Sequence, residues 1–292
     1  MQDSGELPGG PWKGSVTMKL GLLGRVLGHS LSPEIHTKIF QALGISGTYD
    51  LVELEPEQVG PFLTQETPAY NGCNVTIPYK ERVLPYLTEI SPEAEKIGAS
   101  NTLFFTDGGV KGYNTDYHGF DQMLQAYHIP LAGKNVTVLG NGGAAKAVLQ
   151  VVADRKAAQI TILVRSREKA QNSLSRFLAA QPETQLKLYT ELEDLPGGDV
   201  IINTTPIGMY PKTGVSPVPA SFVGKFGAAV DIIYNPAVTQ FLADAAAAGA
   251  KTCNGLHMLV GQAVAAEEIW LQKKLPAELV PQIVKQLEEN FK

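Results

Sequence analysis

A glycine-rich turn between an apolar strand and a helix constrains the fold of this chain more than any other feature. Residues 135–139 read NVTVL, which is typical of a buried strand, and they lead directly into GNGGAA at 140–145. An alanine- and valine-rich segment that runs through Ala153 predicts a helix. Gly140, Gly142 and Ala145 hold the three small positions of a dinucleotide-binding turn. A tight glycine turn that binds no ligand is the alternative.

Further apolar runs alternate with helical segments and predict a parallel, doubly wound sheet around this turn. The runs lie at residues 160–164, 186–189, 200–203 and 228–233. The first hundred residues also alternate, with strands expected at residues 19–24, 49–53, 72–77 and 101–105. A helix should begin near Pro33 with Ser32 as its N-cap, and the chain after Gly255 should be helical. The fold class is therefore α/β, with two α/β domains.

Composition excludes several classes of function. A length of 292 residues suits two domains, and a formal charge of −5 disfavours nucleic-acid binding. No apolar run is long enough for a membrane span, and residues 1–17 lack the apolar core of a signal peptide, so we expect a flexible extension there. Cys73 and Cys253 are far apart and suit reduced thiols in the cytoplasm, and the five histidines match no metal-ligand spacing.

The residues after the second strand of the glycine-turn unit favour NADP over NAD. An acidic residue there binds the ribose 2′-hydroxyl of NAD, whereas an arginine accommodates the 2′-phosphate of NADP. The sequence has Arg165, Ser166 and Arg167 at this point, and Glu168 comes later. Two solvated surface arginines are the alternative, and this alternative is strongest for Arg167.

Four polar clusters lie at strand ends outside this unit. They read HSLSP at 29–33, NVTIPYK at 74–80, ASNT at 99–102 and NTD at 114–116. Short hydroxyl, amide, ammonium and carboxylate groups suit a polyhydroxylated acid as substrate. Taken singly, each has a simpler explanation: Ser32 caps a helix, Lys80 is a surface lysine, and residues 114–116 form an Asx turn.

Together with the glycine turn and the late GLHMLVGQ at 255–262, the clusters form six motifs in a fixed order. From about residue 18 to the C-terminus the chain resembles the shikimate dehydrogenase family. The resemblance implies a substrate-binding domain of residues 18–115, completed by C-terminal helices at 256–292, and an NADP-binding Rossmann domain at 116–255. It also implies an active site in the cleft between the domains.

The resemblance further implies roles for individual residues. Lys80 and Asp116 are the expected catalytic pair. The expected substrate-binding residues are Ser30, Ser32, Asn74, Thr76, Asn101, Asp116, Tyr234 and Gln262. The expected cofactor-binding residues are Gly140, Asn141, Gly142, Gly143, Ala144, Arg165, Ser166, Thr205, Ile232 and Gly255. No metal is expected.

The chemistry of these residue types is consistent with the resemblance. Reduction of a ketone leaves an alkoxide that needs a proton and a nearby cation, and the ammonium of Lys80 supplies both. We therefore expect NADPH-dependent reduction of 3-dehydroshikimate to shikimate in chorismate and aromatic amino acid biosynthesis. The expected partner is this small molecule alone, with no nucleic acid and no membrane, in a cytoplasmic monomer or homodimer.

Two departures from the family pattern leave alternatives open. Val164 stands where many members have an asparagine before the arginine, so one contact to the adenosine ribose is absent. Ser32, where quinate-preferring relatives often carry threonine, favours shikimate. The alternatives are a quinate/shikimate dehydrogenase of dual specificity or with NAD, a catalytically silent NADP-binding regulator, and a folate-type dehydrogenase.

Overall fold

The structure is a computed structural model that describes residues 17–28, 30–66 and 69–289. The predicted N-terminal extension therefore lies outside the described residues, apart from Thr17, which begins the first strand. The chain divides into two compact units. The first holds residues up to Ala94, with 99–115 and 263–286; the second holds 95–98, 116–262 and the chain from Leu287.

The elements alternate between strand and helix over most of the chain. The strands are β1 Thr17–Gly24, β2 Ser46–Glu53, β3 Gly72–Val75, β4 Glu89–Ile90, β5 Thr102–Thr106, β6 Gly109–Tyr113, β7 Asn135–Leu139, β8 Gln159–Val164, β9 Gln185–Leu188, β10 Gly198–Asn203, β11 Phe226–Asp231 and β12 Lys251–Cys253. The helices are α1 Ser32–Leu43, α2 Val59–Pro61, α3 Pro92–Ile97, α4 Thr115–Ala126, α5 Gly143–Asp154, α6 Arg167–Ser173, α7 Ser175–Ala180, α8 Ala220–Val223, α9 Gln240–Ala247, α10 Leu256–Leu271 and α11 Leu279–Glu288. Among the described residues, no helix is long and apolar enough to cross a membrane.

The first unit is built on a mixed sheet with strand order β2-β1-β3-β5-β6-β4. Strand β1 pairs in parallel with β2 and β3, whereas β5 runs antiparallel to β3 and β6. Leu20 and Leu23 of β1 are fully buried in the two apolar clusters of this unit. The strands β4 and β6 were not predicted, because β4 has two residues and β6 carries two glycines with only one buried apolar side chain, that of Val110.

The second unit contains the predicted doubly wound parallel sheet, and this prediction is confirmed. Its strand order is β12-β11-β10-β7-β8-β9, and every pair is parallel. Counted from β7 in chain order, this is the 3-2-1-4-5-6 arrangement of dinucleotide-binding folds. The direction of winding reverses between β7 and β10, where ligands bind beyond the carboxyl ends of the strands.

Helix α1 follows the predicted pattern except at its start. Its proline lies in the first turn, its apolar face is buried, and it ends at Gly44 in the left-handed conformation with φ of 64°. The prediction that Ser32 is the N-cap is wrong, because Leu31 occupies that position and the helix begins at Ser32. The hydroxyl of Ser32 accepts a hydrogen bond from Ser30 instead of from a helix amide.

Candidate active site

The glycine turn lies at the point where β7 passes into α5. The amide of Gly140 donates to the carbonyl of Leu163 on β8 over 2.9 Å, with φ at 99°. A β-carbon at Gly140 would lie 2.9 Å from Cγ2 of Thr205, so a larger residue would collide as well as strain the backbone. By contrast, a β-carbon at Gly142 or Gly143 would meet no atom within 4 Å.

The start of α5 has the properties of an anion site. Gly142 is its N-cap and supplies no side-chain cap, and the first turn carries no acidic residue. The 12-residue helix therefore directs its amide groups and the positive end of its dipole toward the space above the two glycines. Asn141 is held by a 2.8 Å hydrogen bond to Ser173, and Ala145 is fully buried against the sheet. These residues fit the pyrophosphate of a dinucleotide.

The residues predicted to bind the 2′-phosphate of NADP follow β8, and they differ in exposure and in their partners. Arg165 is exposed, directly after the strand. The hydroxyl of Ser166 caps α6 by accepting from the amide of Lys169 over 3.3 Å. Arg167 forms a 2.6 Å ion pair with Glu191, so its guanidinium has a partner within the protein. Arg165 is thus the more available of the two arginines for a ligand.

Tyr189, at the end of the neighbouring strand β9, was not predicted as a site residue. Its hydroxyl is buried and has no hydrogen-bond partner among the described residues. Burial raises its pKa to about 12, while the positive charge of Arg165 acts in the opposite direction. The phenol therefore stays protonated and lies near the same arginine.

A buried polar network organises the ends of β10 and β11. Asn203 accepts from both the amide and the hydroxyl of Thr205, over 3.0 and 2.7 Å, and donates to Asp231 over 3.0 Å. Asp231 also accepts from the amide of Ile233 and, over 2.7 Å, from the hydroxyl of Thr239. The network holds the predicted cofactor residue Thr205 beside the glycine turn.

Gly255 allows the chain to pass very close to the segment after β11. A β-carbon at this position would lie 1.9 Å from the carbonyl oxygen of Ile232, so only glycine fits. The amide of Gly255 donates to the carbonyl of Ile233 over 2.9 Å. The structure thus brings together Ile232 and Gly255, two of the predicted cofactor residues.

Two predicted substrate residues also belong to the second unit. Tyr234 is half-buried after β11, and burial raises its pKa. Gln262 lies on α10 and is nearly buried, and its amide nitrogen donates to the carbonyl of Leu259 over 2.9 Å.

In the first unit, Ser30 and Ser32 lie side by side. The hydroxyl of Ser30 donates to that of Ser32 over 3.1 Å, and the amide of Ser32 donates back to the hydroxyl of Ser30 over 3.2 Å. Asn74, on β3, is buried, and its Oδ1 accepts from the hydroxyl of Tyr49 over 2.7 Å. Its Nδ2 donates to the hydroxyl of Thr102 over 3.0 Å.

Asn101 is buried next to β5 with its side chain in a fixed orientation. Its Oδ1 accepts from the backbone amide of Thr115 over 2.6 Å and from the hydroxyl of Thr102 over 3.1 Å. Because a backbone N–H can only donate, the atom that faces it must be the amide oxygen. The donor nitrogen of Asn101 is therefore directed away from Thr115.

The remaining predicted residues lie at the ends of elements. Thr76 follows β3 and is half-buried, and its amide donates to the carbonyl of Leu23 over 2.9 Å. Lys80 is half-buried in the turn that follows, and its carbonyl accepts from the amide of Ser100 over 2.8 Å. Asp116, in the first turn of α4, is half-buried and begins the main segment of the second unit, whereas Lys80 belongs to the first.

Comparisons with known proteins decide the family. The profile of the shikimate dehydrogenase substrate binding domain matches residues 22–103, and that of shikimate / quinate 5-dehydrogenase matches residues 122–208. Proteins named shikimate dehydrogenase (NADP(+)) from Clostridium perfringens (strain 13 / Type A) and Clostridium beijerinckii are 44% and 42% identical to this chain. These matches cover 94% and 93% of this chain, and 100% and 98% of the relatives. The chain belongs to the shikimate dehydrogenase family.

A solved structure supports the same assignment. The crystal structure of a chorismate mutase/shikimate 5-dehydrogenase fusion protein from Clostridium acetobutylicum is 45% identical, with a TM-score of 0.87. The match covers 94% of this chain and 98% of that one. The predicted family and two-domain α/β fold are confirmed.

Several residues that connect the predicted ones were not themselves predicted from the sequence. These residues are Tyr49, Thr102 and Thr115 in the first unit, and Asn203, Asp231 and Tyr189 in the second. Thr102 and Thr115 belong to two of the polar clusters, ASNT at 99–102 and NTD at 114–116, but neither was assigned a role. Asn203 and Asp231 each end an apolar strand with a polar residue, which is a signal that sequence alone offers.

The buried carboxyl of Asp231 makes stability depend on pH. Burial raises its pKa from 3.8 to about 6, against hydrogen bonds that act in the opposite direction. A raised folded-state pKa gives stability that is fully present below pH 3.8 and is lost as pH rises through about 6. The rise corresponds to roughly 3 kcal/mol. Asp231→Asn, which can keep the hydrogen bonds, should not show this loss.

Urea unfolding followed by circular dichroism between pH 4.5 and 7.5 tests this expectation. Relative to Asp231→Asn, the wild type should become less stable as pH rises. Asp194→Asn, which removes an exposed carboxylate from the same unit, is the matched control and should keep the wild-type profile. Parallel profiles of the wild type and Asp231→Asn would contradict the expectation.

Proposed function

We propose that this protein is an NADP-dependent shikimate dehydrogenase that interconverts 3-dehydroshikimate and shikimate. The observation that carries the proposal is that a member of this family holds the hydroxyls of Ser30 and Ser32 and the amide of Asn74 by hydrogen bonds within its first unit. A polyhydroxylated ring acid needs hydroxyl and amide groups held in fixed directions, because an unpaired buried polar group costs free energy. Ser30 and Ser32 fix each other, and Tyr49 fixes Asn74.

Roles in substrate binding follow the chemistry of each group. Ser30 and Ser32 bind the carboxylate, and Ser32 at this position favours shikimate over quinate. The groups that contact the ring and its hydroxyls are Asn74, Thr76, Asn101, Asp116, Tyr234 and Gln262. Asn101 supports this role because its buried amide is held in a fixed orientation by the backbone amide of Thr115.

Lys80 is the residue that handles the proton. NADPH, when bound, supplies the hydride for reduction of the ketone. As the ketone oxygen gains negative charge, the ammonium of Lys80 stabilises that charge and transfers a proton to the oxygen. In the reverse direction the amine accepts the proton from the hydroxyl of shikimate. Asp116 is the second catalytic residue, a carboxylate that orients a substrate hydroxyl.

The second unit holds the cofactor. The pyrophosphate belongs above the open glycines at the start of α5, and Arg165 with Ser166 faces the 2′-phosphate. The exposed Arg165 beside Tyr189 supports NADP over NAD, since no carboxylate follows β8 directly. The full set of cofactor residues is Gly140, Asn141, Gly142, Gly143, Ala144, Arg165, Ser166, Thr205, Ile232 and Gly255.

The proposed setting is aromatic amino acid biosynthesis through chorismate, in the cytoplasm. Two buried cysteines, Cys73 and Cys253, without a disulfide support a reducing compartment. Ser32 and Arg165 favour the biosynthetic direction over quinate degradation. We propose a monomer or homodimer with a small-molecule substrate as its partner. The silent regulator is disfavoured, because both Lys80 and Asp116 are present.

A spectrophotometric panel tests the proposed function. Purified protein is mixed with shikimate or quinate and with NADP⁺ or NAD⁺, and absorbance is followed at 340 nm. We expect rapid reduction of NADP⁺ in the presence of shikimate, and no comparable rate with any of the other three combinations. Comparable rates with quinate or NAD⁺ would contradict the strict specificity attributed to Ser32 and Arg165, and the absence of any rate would contradict the assignment as an enzyme.

Replacement of Lys80 tests the proposed chemistry. Lys80→Ala should lower kcat by roughly a hundredfold or more, which is a typical contribution of a general acid. The Kd for NADP⁺, measured by fluorescence titration, should stay within about twofold, because the cofactor residues lie in the other unit. Lys38→Ala is the control, since Lys38 is paired with Glu34 on α1. Unchanged turnover in Lys80→Ala would remove this lysine from the mechanism.

A further inference from the structure

The hydroxyl of Tyr49 fixes the amide oxygen of Asn74. Tyr49 lies on β2, and its hydroxyl donates to Oδ1 of Asn74 over 2.7 Å. A phenol has one proton, and Tyr49 gives it to Asn74.

The amide nitrogen of Asn74 is also bonded within the protein. Its Nδ2 donates to the carbonyl of Asn101 over 3.3 Å and to the hydroxyl of Thr102 over 3.0 Å, which uses both amide hydrogens. With Tyr49 bonded to Oδ1, Asn74 is fixed at both ends of its amide. The direction of the Asn74 amide thus depends on one phenol.

The ring of Tyr49 is packed against a buried histidine. His36, on α1, stacks on it with ring centroids 4.0 Å apart and an interplanar angle of 10°. Nδ1 of His36 is 2.7 Å from Oε1 of Glu267 on α10, and both side chains are completely buried. Trp270, one turn further along α10, lies against the same imidazole with centroids 5.8 Å apart.

The His36–Glu267 pair is not explained by stability alone. Nε2 of His36 and Oε2 of Glu267 are both buried and have no hydrogen-bond partner among the described residues. Burial of unsatisfied polar atoms opposes folding, and apolar side chains of similar size often stabilise a core as well or better. A polar pair at this position is consistent with a role in fixing the orientation of the imidazole, and through it the ring of Tyr49.

We propose that Tyr49 is a positioning residue for substrate binding, and that the buried His36–Glu267 pair holds its ring in place. This inference rests on the proposed function, in which Asn74 contacts the substrate. Tyr49 acts through Asn74. Loss of its hydroxyl deprives Asn74 of a donor, so the affinity for the ring acid should fall while cofactor binding is unaffected.

Tyr49→Phe removes the hydroxyl and keeps the stacked ring. We expect the KM for shikimate to rise about tenfold, as for the loss of one buried hydrogen bond, and the KM for NADP⁺ to stay within about twofold. Tyr70→Phe is the matched control, because it removes a phenol that donates to Asp50 in the same unit. Unchanged KM for shikimate in Tyr49→Phe, or an equal rise in Tyr70→Phe, would overturn the proposal.

A double variant separates positioning from general loosening of the unit. If Tyr49 acts through Asn74, Tyr49→Phe should lower kcat/KM for shikimate clearly less in an Asn74→Ala background than in the wild type. Equal losses in both backgrounds would overturn the role. Wild-type turnover is measured alongside: its absence would reject the proposed function, whereas an active wild type and an unaltered Tyr49→Phe would reject the role of Tyr49 alone.

Variants of Glu267 test whether the His36–Glu267 pair holds the ring of Tyr49 in place. Glu267→Gln keeps an acceptor for His36, whereas Glu267→Met removes it at similar size. We expect the KM for shikimate to rise severalfold in Glu267→Met and to stay near the wild-type value in Glu267→Gln, with the KM for NADP⁺ unchanged in both. Equal KM values for shikimate in the two variants would overturn the role of the pair, and thermal melts establish that both are folded.

Discussion

The parallel pairing of β7 with β10 is the constraint on which the nucleotide unit depends. Leu139 aligns with Asn203 at the end of this pairing, and the carbonyl of Leu139 accepts from both the amide and the hydroxyl of Thr204. The glycine turn therefore begins beside the Thr204–Thr205 segment, with contact close enough to exclude a side chain at Gly140. A dinucleotide site at this point follows from the strand order, since the winding reverses between these two strands.

The first unit buries polar groups that, in the proposed function, contact the ring acid. Asn74 and Asn101 are almost completely buried, and each amide oxygen is held by a donor of the protein. Such groups are costly unless they are hydrogen-bonded, so the network both stabilises the unit and fixes directions for recognition. Fixed groups lose little entropy when a substrate arrives, and they reject compounds that leave them unpaired.

The elements that were predicted correctly from the sequence are those that depend on interactions between residues close together in the chain. The apolar strands around the glycine turn, the parallel sheet and the proline-initiated α1 follow from periodicity and turn chemistry. The predicted N-cap of α1 was wrong, because the hydroxyl of Ser32 is bonded to that of Ser30 in the preceding loop and not to a helix amide. The link between Tyr49 and Asn74, 25 residues apart, could not be predicted, since it depends on how β2, β1 and β3 lie side by side.

The most direct test of this account is a crystal structure with shikimate and NADP⁺ bound. We expect the shikimate carboxylate within hydrogen-bond distance of the hydroxyls of Ser30 and Ser32, and the pyrophosphate over Gly142 and Gly143. The hydrogen bond between Tyr49 and Asn74 should persist. A carboxylate bound away from both serines, or a pyrophosphate away from the start of α5, would contradict it.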